Sequence, residues 1–170
     1  INLLPIEQDE KIHTVMPMPE NEDTWQNLQI IFATKNGNIR RNQLSDFTNI
    51  RQNGKIAMKL NENDELVSVI PCTEKDNVLL ATRLGKAIRF DVNDVRVFVG
   101  RGSSGVRGIK LKPNDYVVSM SLIPNLERRY ILSVTENGFG KRTPIEEYRM
   151  TNRGGQGVAN IESVSYTHLT

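Results

Sequence analysis

Twelve basic side chains recur at near-constant distances from glycines in this chain, and the chemistry open to such a set is the capture of anions. Arg40 and Arg41 stand three and four residues after Gly37, Lys86 and Arg89 one and four after Gly85, and Lys141 and Arg142 three and four after Gly138. A second group lies around a second glycine: Arg51 and Lys55 near Gly54, Arg101 and Arg107 near Gly105, Arg149 and Arg153 ahead of Gly155. Phosphates demand cations together with backbone N–H groups that can approach closely, and glycine-rich basic loops supply both. A single basic loop is an ordinary solvated surface. Three in register are different, because many weak contacts on one frame act at high effective concentration.

Bond-making chemistry finds no comparable set. Cys72 is the sole cysteine, so no internal disulfide forms, and no Cys/His cluster has metal-ligand spacing. No P-loop is present. The carboxylates of Asp64 and Glu65, or of Glu146 and Glu147, are adjacent and point to opposite faces of an extended chain, a poor arrangement for paired acid–base work. His13 matches Ser68 and Ser119 in the repeat described below and reads as an exposed strand residue. Arg129-Tyr130 opens the strand YILSVT and reads as structural; Tyr148 aligns with Phe47 and reads as core. The sequence therefore predicts no catalytic residue and no metal.

The elements that position the cations are copies of one unit. IIFATKNGNIRRNQL from Ile30, VLLATRLGKAIRFDV from Val78 and ILSVTENGFGKRTPI from Ile131 each read as strand, glycine turn and basic returning strand, at a period of about 50 residues. Asn36-Gly37 and Asn137-Gly138 predict type I′ hairpin turns. A fixed offset from a fixed turn predicts that Arg41, Arg89 and Arg142 share a face, displayed along one rim. Beyond each hairpin an apolar pair (Leu44 and Phe47, Val92 and Val95, Ile145 and Tyr148) leads to the second glycine and a strand ending at Leu60, Leu111 or Ile161. The middle copy is three residues longer, which predicts a solvent-facing loop over Val97–Gly105. An acidic turn, an apolar strand and a proline close the unit at Asp64, Val67 and Pro71, and again at Asp115, Val118 and Pro124. Asp9, Ile12 and Pro17 repeat that pattern, so residues 1–18 read as the end of an earlier unit. Trp25, in the acidic connector 19–27, is expected to seal the end of a strand layer.

About four short strands per unit, with no stretch of helical periodicity, predict an all-β chain of propeller-like blades. The expected division is the end of a first blade at 1–18, blades at 28–77 and 78–129, and a partial blade at 130–161, with 162–170 (ESVSYTHLT) a tail outside the repeat that need not be native. Charge follows the same period: 35–59 carries +5, 60–82 carries −4 and 83–112 carries +6, although the whole 170-residue chain is only +2. Charge segregated along the chain segregates in space once the units are arrayed. No apolar run is long enough to span a membrane, no signal peptide is visible, and the start at Ile1 suggests a fragment. A reducing, cytoplasmic setting is expected.

With NLLPIEQDEKI at 2–12, GVRGIKL at 105–111, NGFGKRT at 137–143 and NRGGQGV at 152–158, the chain resembles the C-terminal domain of the DNA gyrase A subunit over residues 1–161. The resemblance implies a six-bladed β-pinwheel whose blades exchange strands, of which this chain holds the end of one and about three more. It also implies duplex DNA wrapped around a basic outer edge without sequence preference. The twelve cations above are the expected DNA contacts. Gyrase as a whole supercoils DNA with ATP and Mg2+, and pairs with a B subunit, through regions this stretch does not contain. No cofactor is therefore expected here, and the stretch itself is expected to be non-catalytic. The family's glycine-rich basic box belongs upstream of Ile1. Asn152–Gly157 is a weakened version, with Gln156 in place of lysine, and its role is not carried over. The competing readings are the corresponding domain of topoisomerase IV and a propeller-like scaffold that docks an acidic protein.

Overall fold

The computed structural model describes residues 12–48, 51, 54–124 and 129–161. Eleven strands and four short 3-10 turns alternate along them. The first hairpin joins β1 (Gln29–Thr34) to β2 (Asn38–Gln43); after a long connection come β3 (Leu66–Cys72), β4 (Asp76–Thr82) and β5 (Lys86–Asp91). Two short strands follow, β6 (Val97–Phe98) and β7 (Val106–Arg107), and then β8 (Val117–Pro124). The last hairpin is β9 (Tyr130–Val134) with β10 (Gly140–Pro144), and β11 (Val158–Ala159) ends the chain of elements.

Each complete blade is assembled from two repeats. In the first, β3, β1 and β2 are antiparallel neighbours, and the outer side of β2 takes β6 in parallel and β7 antiparallel from the next repeat. In the second, β8, β4 and β5 are neighbours, and β5 takes β11 and a parallel bridge from Met150 of the third repeat. The third has β9 and β10 alone among the described residues. An arm of each repeat therefore closes the edge of the blade before it, which satisfies edge N–H and C=O groups that would otherwise template foreign pairing.

The blades stack face to face, so a central strand is buried on both sides; all six residues of β1 are buried. Ile31, Ala33 and Ile39 of the first blade pack with Val78, Leu80, Ile88 and Phe90 of the second. Leu79 and Ala87, on the second blade's other face, pack with Ile145, Tyr148 and Ile131 of the third. Ile30, Phe32 and Leu44 are covered by Met16, Met18, Trp25 and Leu28, so Trp25 closes the outer face of the first blade as expected, its Nε1–H donating to Pro19 O at 2.9 Å. Leu132 and Val134 on β9 stay 69% and 64% exposed. Phe90→Ala, at a fully buried position, is expected to cost about 3–5 kcal/mol in a urea titration, whereas Leu132→Ala should cost about 0.5 kcal/mol or less.

Three register details differ from the sequence expectation. The hairpins are not type I′: Gly37 has φ +83 but Asn36 is not left-handed, and Gly37 N–H donates to Thr34 O at 3.0 Å. Gly85 to Thr82 and Gly138 to Thr135 repeat that bond, so the glycine alone carries the positive φ and Leu84 is tolerated where the other copies have Asn. The second glycine of the third repeat is Gly157, not Gly155. A Cβ on Gly105 would collide with Ile39 O and one on Gly157 with Ala87 O, at the same register of successive blades. Ile161 consequently matches Ile109, not Leu111; their N–H groups face Gly85 O and Gly37 O. Finally, Val97–Gly105 is not a solvent loop throughout, because Phe98 is buried under the first blade's edge.

Candidate nucleic-acid interface

An aspartate clasps each complete hairpin. Asp64 accepts from the Thr34 hydroxyl at 2.7 Å, Asn36 N–H at 2.9 Å and Glu65 N–H at 3.0 Å. Asp115 accepts from the Thr82 hydroxyl at 2.7 Å and from Leu84 and Tyr116 N–H, both at 2.9 Å. The acidic turns of the repeat thus tie the return strand to the hairpin turn. Thr135 occupies the same position in the third hairpin, its Oγ1 accepting from Phe139 N–H as Thr34 does from Asn38 and Thr82 from Lys86.

The expected cations divide into two populations. Arg41, Arg89 and Arg142 do share one register position, opposite Ile31, Leu79 and Leu132. Their display along a rim is corrected: Arg41 is buried and donates to Gln29 Oε1 at 3.0 Å and Asn93 Oδ1 at 3.2 Å, and half-buried Arg89 donates to Ile145 O at 3.1 Å and Tyr148 O at 3.3 Å. Both grip the 3-10 turn of the next repeat, because the face they share is the one that meets the following blade. Arg142 is exposed and lies 3.9 Å from the Tyr130 ring, which gives Tyr130 a structural neighbour. Arg40 is buried as well; its guanidinium donates to the carbonyls of Gly100, Arg101 and Ser103. Arg40 and Arg41 are therefore joints between repeats and not a solvent-facing track.

The second population is at the surface. Arg107, Lys141 and Arg149 are exposed, as is Arg51; Lys86, Lys55, Arg101 and Arg153 are half-buried. Lys55 Nζ donates to Thr48 O at 2.8 Å and Arg101 to Ile56 O. Arg153 donates to Asp94 O at 2.9 Å and Arg107 O at 2.8 Å, while Gly154 N–H reaches Gly108 O at 2.6 Å and Lys110 N–H reaches Gly155 O at 2.8 Å. The arms of the second and third repeats therefore run side by side and bring Arg107, Lys110 and Arg153 together. Among the described residues no carboxylate pairs with these three, and the ion pair that does form joins Lys35 to Glu65 at 3.1 Å.

Cations absent from the sequence expectation extend the surface. Exposed Lys110 sits by the Gly155 loop, and Arg96 lies over the Phe98 ring at 4.1 Å. Lys35 and Arg83 flank the Tyr116 ring at 5.2 and 5.8 Å. Lys35 and Arg83 each stand two residues before a turn glycine, a signal that Glu136 interrupts in the third copy.

Burial pushes the Cys72 thiol up to about 12, with Asp76 adding to the shift and Arg41 opposing it. Since the folded value lies above the unfolded one, the stabilising contribution of this group is complete below pH ~9 and declines toward pH ~12. A thiol reagent at pH 8 should leave the native protein unmodified and label it fully in denaturant. His13 is exposed with a ring nitrogen 3.0 Å from Val67 O, and Tyr148 is core, both as expected, although residues 12–18 form no strand. Asp9 and the tail 162–170 lie outside the described residues. No group of three or more His, Cys, Asp or Glu is placed to hold a metal among them, and no helix is long and apolar enough to cross a membrane.

Stacked antiparallel blades that exchange an edge strand with the next repeat define a propeller-class repeat protein. The chain belongs to the DNA gyrase C-terminal domain, beta-propeller family, whose model matches residues 29–73, 76–124 and 129–165, one segment per repeat. Among curated relatives it is 41% identical to the DNA gyrase A subunit of Rickettsia bellii (strain RML369-C), over 99% of this chain and 24% of that protein. It is likewise 41% identical to that of Staphylococcus epidermidis (strain ATCC 12228), over 93% and 17%. The chain thus spans a quarter or less of those relatives' length. Among solved structures it is similar to the C-terminal domain of DNA topoisomerase IV, with TM-score 0.84, 29% identity, 93% of this chain and 48% of that one. A DNA gyrase A C-terminal domain matches with TM-score 0.69, 28% identity, 89% of this chain and 53% of that one.

Proposed function

We propose that this chain binds duplex DNA without sequence preference and bends it along the edge where successive arms meet, as part of a DNA gyrase A subunit. The observation that carries this reading is that hydrogen bonds join the arm carrying Arg107 and Lys110 to the arm carrying Arg153, with no carboxylate paired to any of the three among the described residues. Cations held at a blade-to-blade spacing can follow a phosphate backbone, and each phosphate neutralised releases counterions. Bending a duplex by 40–90° over 20–30 base pairs costs roughly 1–6 kcal/mol, which several such contacts would offset. Cations on loops and arms contact the phosphate backbone, and such contacts specify no sequence.

In the whole protein, supercoiling with ATP and Mg2+ and the pairing with a B subunit would use other regions, in the cytoplasm. Ligation of nicked circular plasmid in the presence of the chain tests the bending. A shift in linking number that grows with protein supports it; binding with an unchanged topoisomer distribution refutes wrapping. A chain that captures acidic polypeptide but not duplex would be the scaffold reading instead.

A further inference from the structure

The most deeply buried cation among the described residues has no carboxylate in hydrogen-bond range among them. Arg40 is 0% exposed, its guanidinium lies 5.4 Å from the Phe98 ring, and its N–H groups meet the carbonyls of Gly100, Arg101 (2.8 Å) and Ser103. Asn42, also fully buried, donates from Nδ2 to Phe98 O at 3.0 Å and Gly100 O at 2.9 Å. The segment 98–103 is thereby held from beneath by five bonds to its own carbonyls. A chain pinned by its carbonyls keeps its remaining surface in one shape. What that surface presents is Val99, 101% exposed, and the half-buried Arg101 side chain, one N–H of which donates to Ile56 O, with Gly100 left-handed between them.

Nothing in the fold alone requires an arginine here. The equivalent residue, one strand position before Arg89, is Ile88 in the second blade, where it joins the core, and Lys141 in the third. Burying a guanidinium is costly, and an apolar side chain of similar volume is commonly as stable or more so. A planar fork with five donors, by contrast, fixes several carbonyls at once.

We propose that Arg40 is a positioning residue for duplex binding: it locks segment 98–103 from within, so that Arg101 and the fully exposed Val99 meet the DNA as one preformed contact. This inference rests on the duplex reading above. Arg101 supplies a phosphate cation, and Val99 lies against the sugar edges in the groove, where apolar side chains at bends are used to hold a deformed duplex. Arg40 touches no DNA itself. Its contribution is the ordering that the loop would otherwise lose on binding.

The test is a double-mutant cycle on the full chain, read as affinity for a random-sequence 40-mer duplex across a salt series. Arg40→Met is expected to weaken binding about tenfold, the loss of roughly one or two ordered side chains' worth of free energy, with the salt slope unchanged. In a Val99→Ala/Arg101→Met background the same change should cost less than about twofold. Equal losses in both backgrounds, no loss in either, or a slope lowered by about one ion, the mark of a direct phosphate contact, would overturn the proposal.

Gly100→Val provides a variant that spares the core. Its φ of +74 strains any side chain while nothing lies within 4 Å, so it should disturb this segment alone and reproduce the loss. Trypsin reads the clamp without DNA: cleavage after Arg101 should quicken in Arg40→Met, and an unchanged rate counts against the lock. If the wild-type chain binds no duplex while cleavage quickens, the duplex reading fails and the lock stands.

Discussion

Reversal of Arg107, Lys110 and Arg153 to glutamate should abolish most duplex binding at 0.15 M salt, by roughly a hundredfold or more, and lower the salt slope by about three ions. The three side chains come from adjacent arms, and the backbone bonds Gly154 to Gly108 and Lys110 to Gly155 hold those arms together. Arg107 and Lys110 are exposed and Arg153 half-buried; cations near one another repel, and no carboxylate among the described residues relieves them. An incoming phosphate backbone does, which makes the cluster a gain on binding and a small loss without it. Arg153→Glu also gives up the side-chain bonds to Asp94 O and Arg107 O, so a modest fall in melting temperature is expected, and the Arg107→Glu/Lys110→Glu double variant, which keeps those bonds, separates loss of contact from loss of fold. Electrophoretic titration of the triple variant at two salt concentrations reads both quantities.

Asp64→Ala should cost about 3–4 kcal/mol of unfolding free energy, the largest effect expected of any polar substitution here. The carboxylate accepts three bonds, from the Thr34 hydroxyl and the N–H groups of Asn36 and Glu65, at a position that is 8% exposed. Bonds to a charged acceptor contribute about 1.5–3 kcal/mol each, less what water recovers, and the buried Thr34 hydroxyl would be left without its acceptor. Asp64→Asn keeps an acceptor for the hydroxyl or for the N–H groups, but not the charge, so an intermediate loss is expected. Urea titrations of both variants distinguish this clasp from a surface acid, whose removal would shift the midpoint hardly at all.

Much of the architecture is visible in the residues. The turn glycines, the apolar strands before them and the acidic turns at Asp64 and Asp115 recur at one period because each blade needs the same turn, the same buried strand and the same clasp. The fate of the arginines was not visible. Alternation places Arg41 and Arg89 on one face, but in a stack of blades that face meets the next repeat and not water, whereas Arg142 at the same register, with no further repeat described beyond it, is exposed. Whether a strand face is solvated depends on what the neighbouring repeat lays on it, and local alternation contains no such information.

The third repeat shows a second limit. Its sequence NRGGQG offers Gly154, Gly155 and Gly157 as matches for Gly105, and spacing favours Gly155. Only the close approach of Gly157 to Ala87 O, matching that of Gly105 to Ile39 O, settles the register. The Lys110 contribution was missed for a related reason: its neighbours come from the Gly155 loop, forty-five residues further along the chain.

The central claim is that an array of cations on repeated arms holds duplex DNA by its phosphates. Equilibrium binding of two unrelated 40-base-pair duplexes across 50–300 mM salt tests it most directly. The account predicts one straight line for both duplexes in log affinity against log salt, falling by several units per decade because each neutralised phosphate contributes close to one ion. A flat line, or lines that separate the two sequences by more than about tenfold, would contradict it.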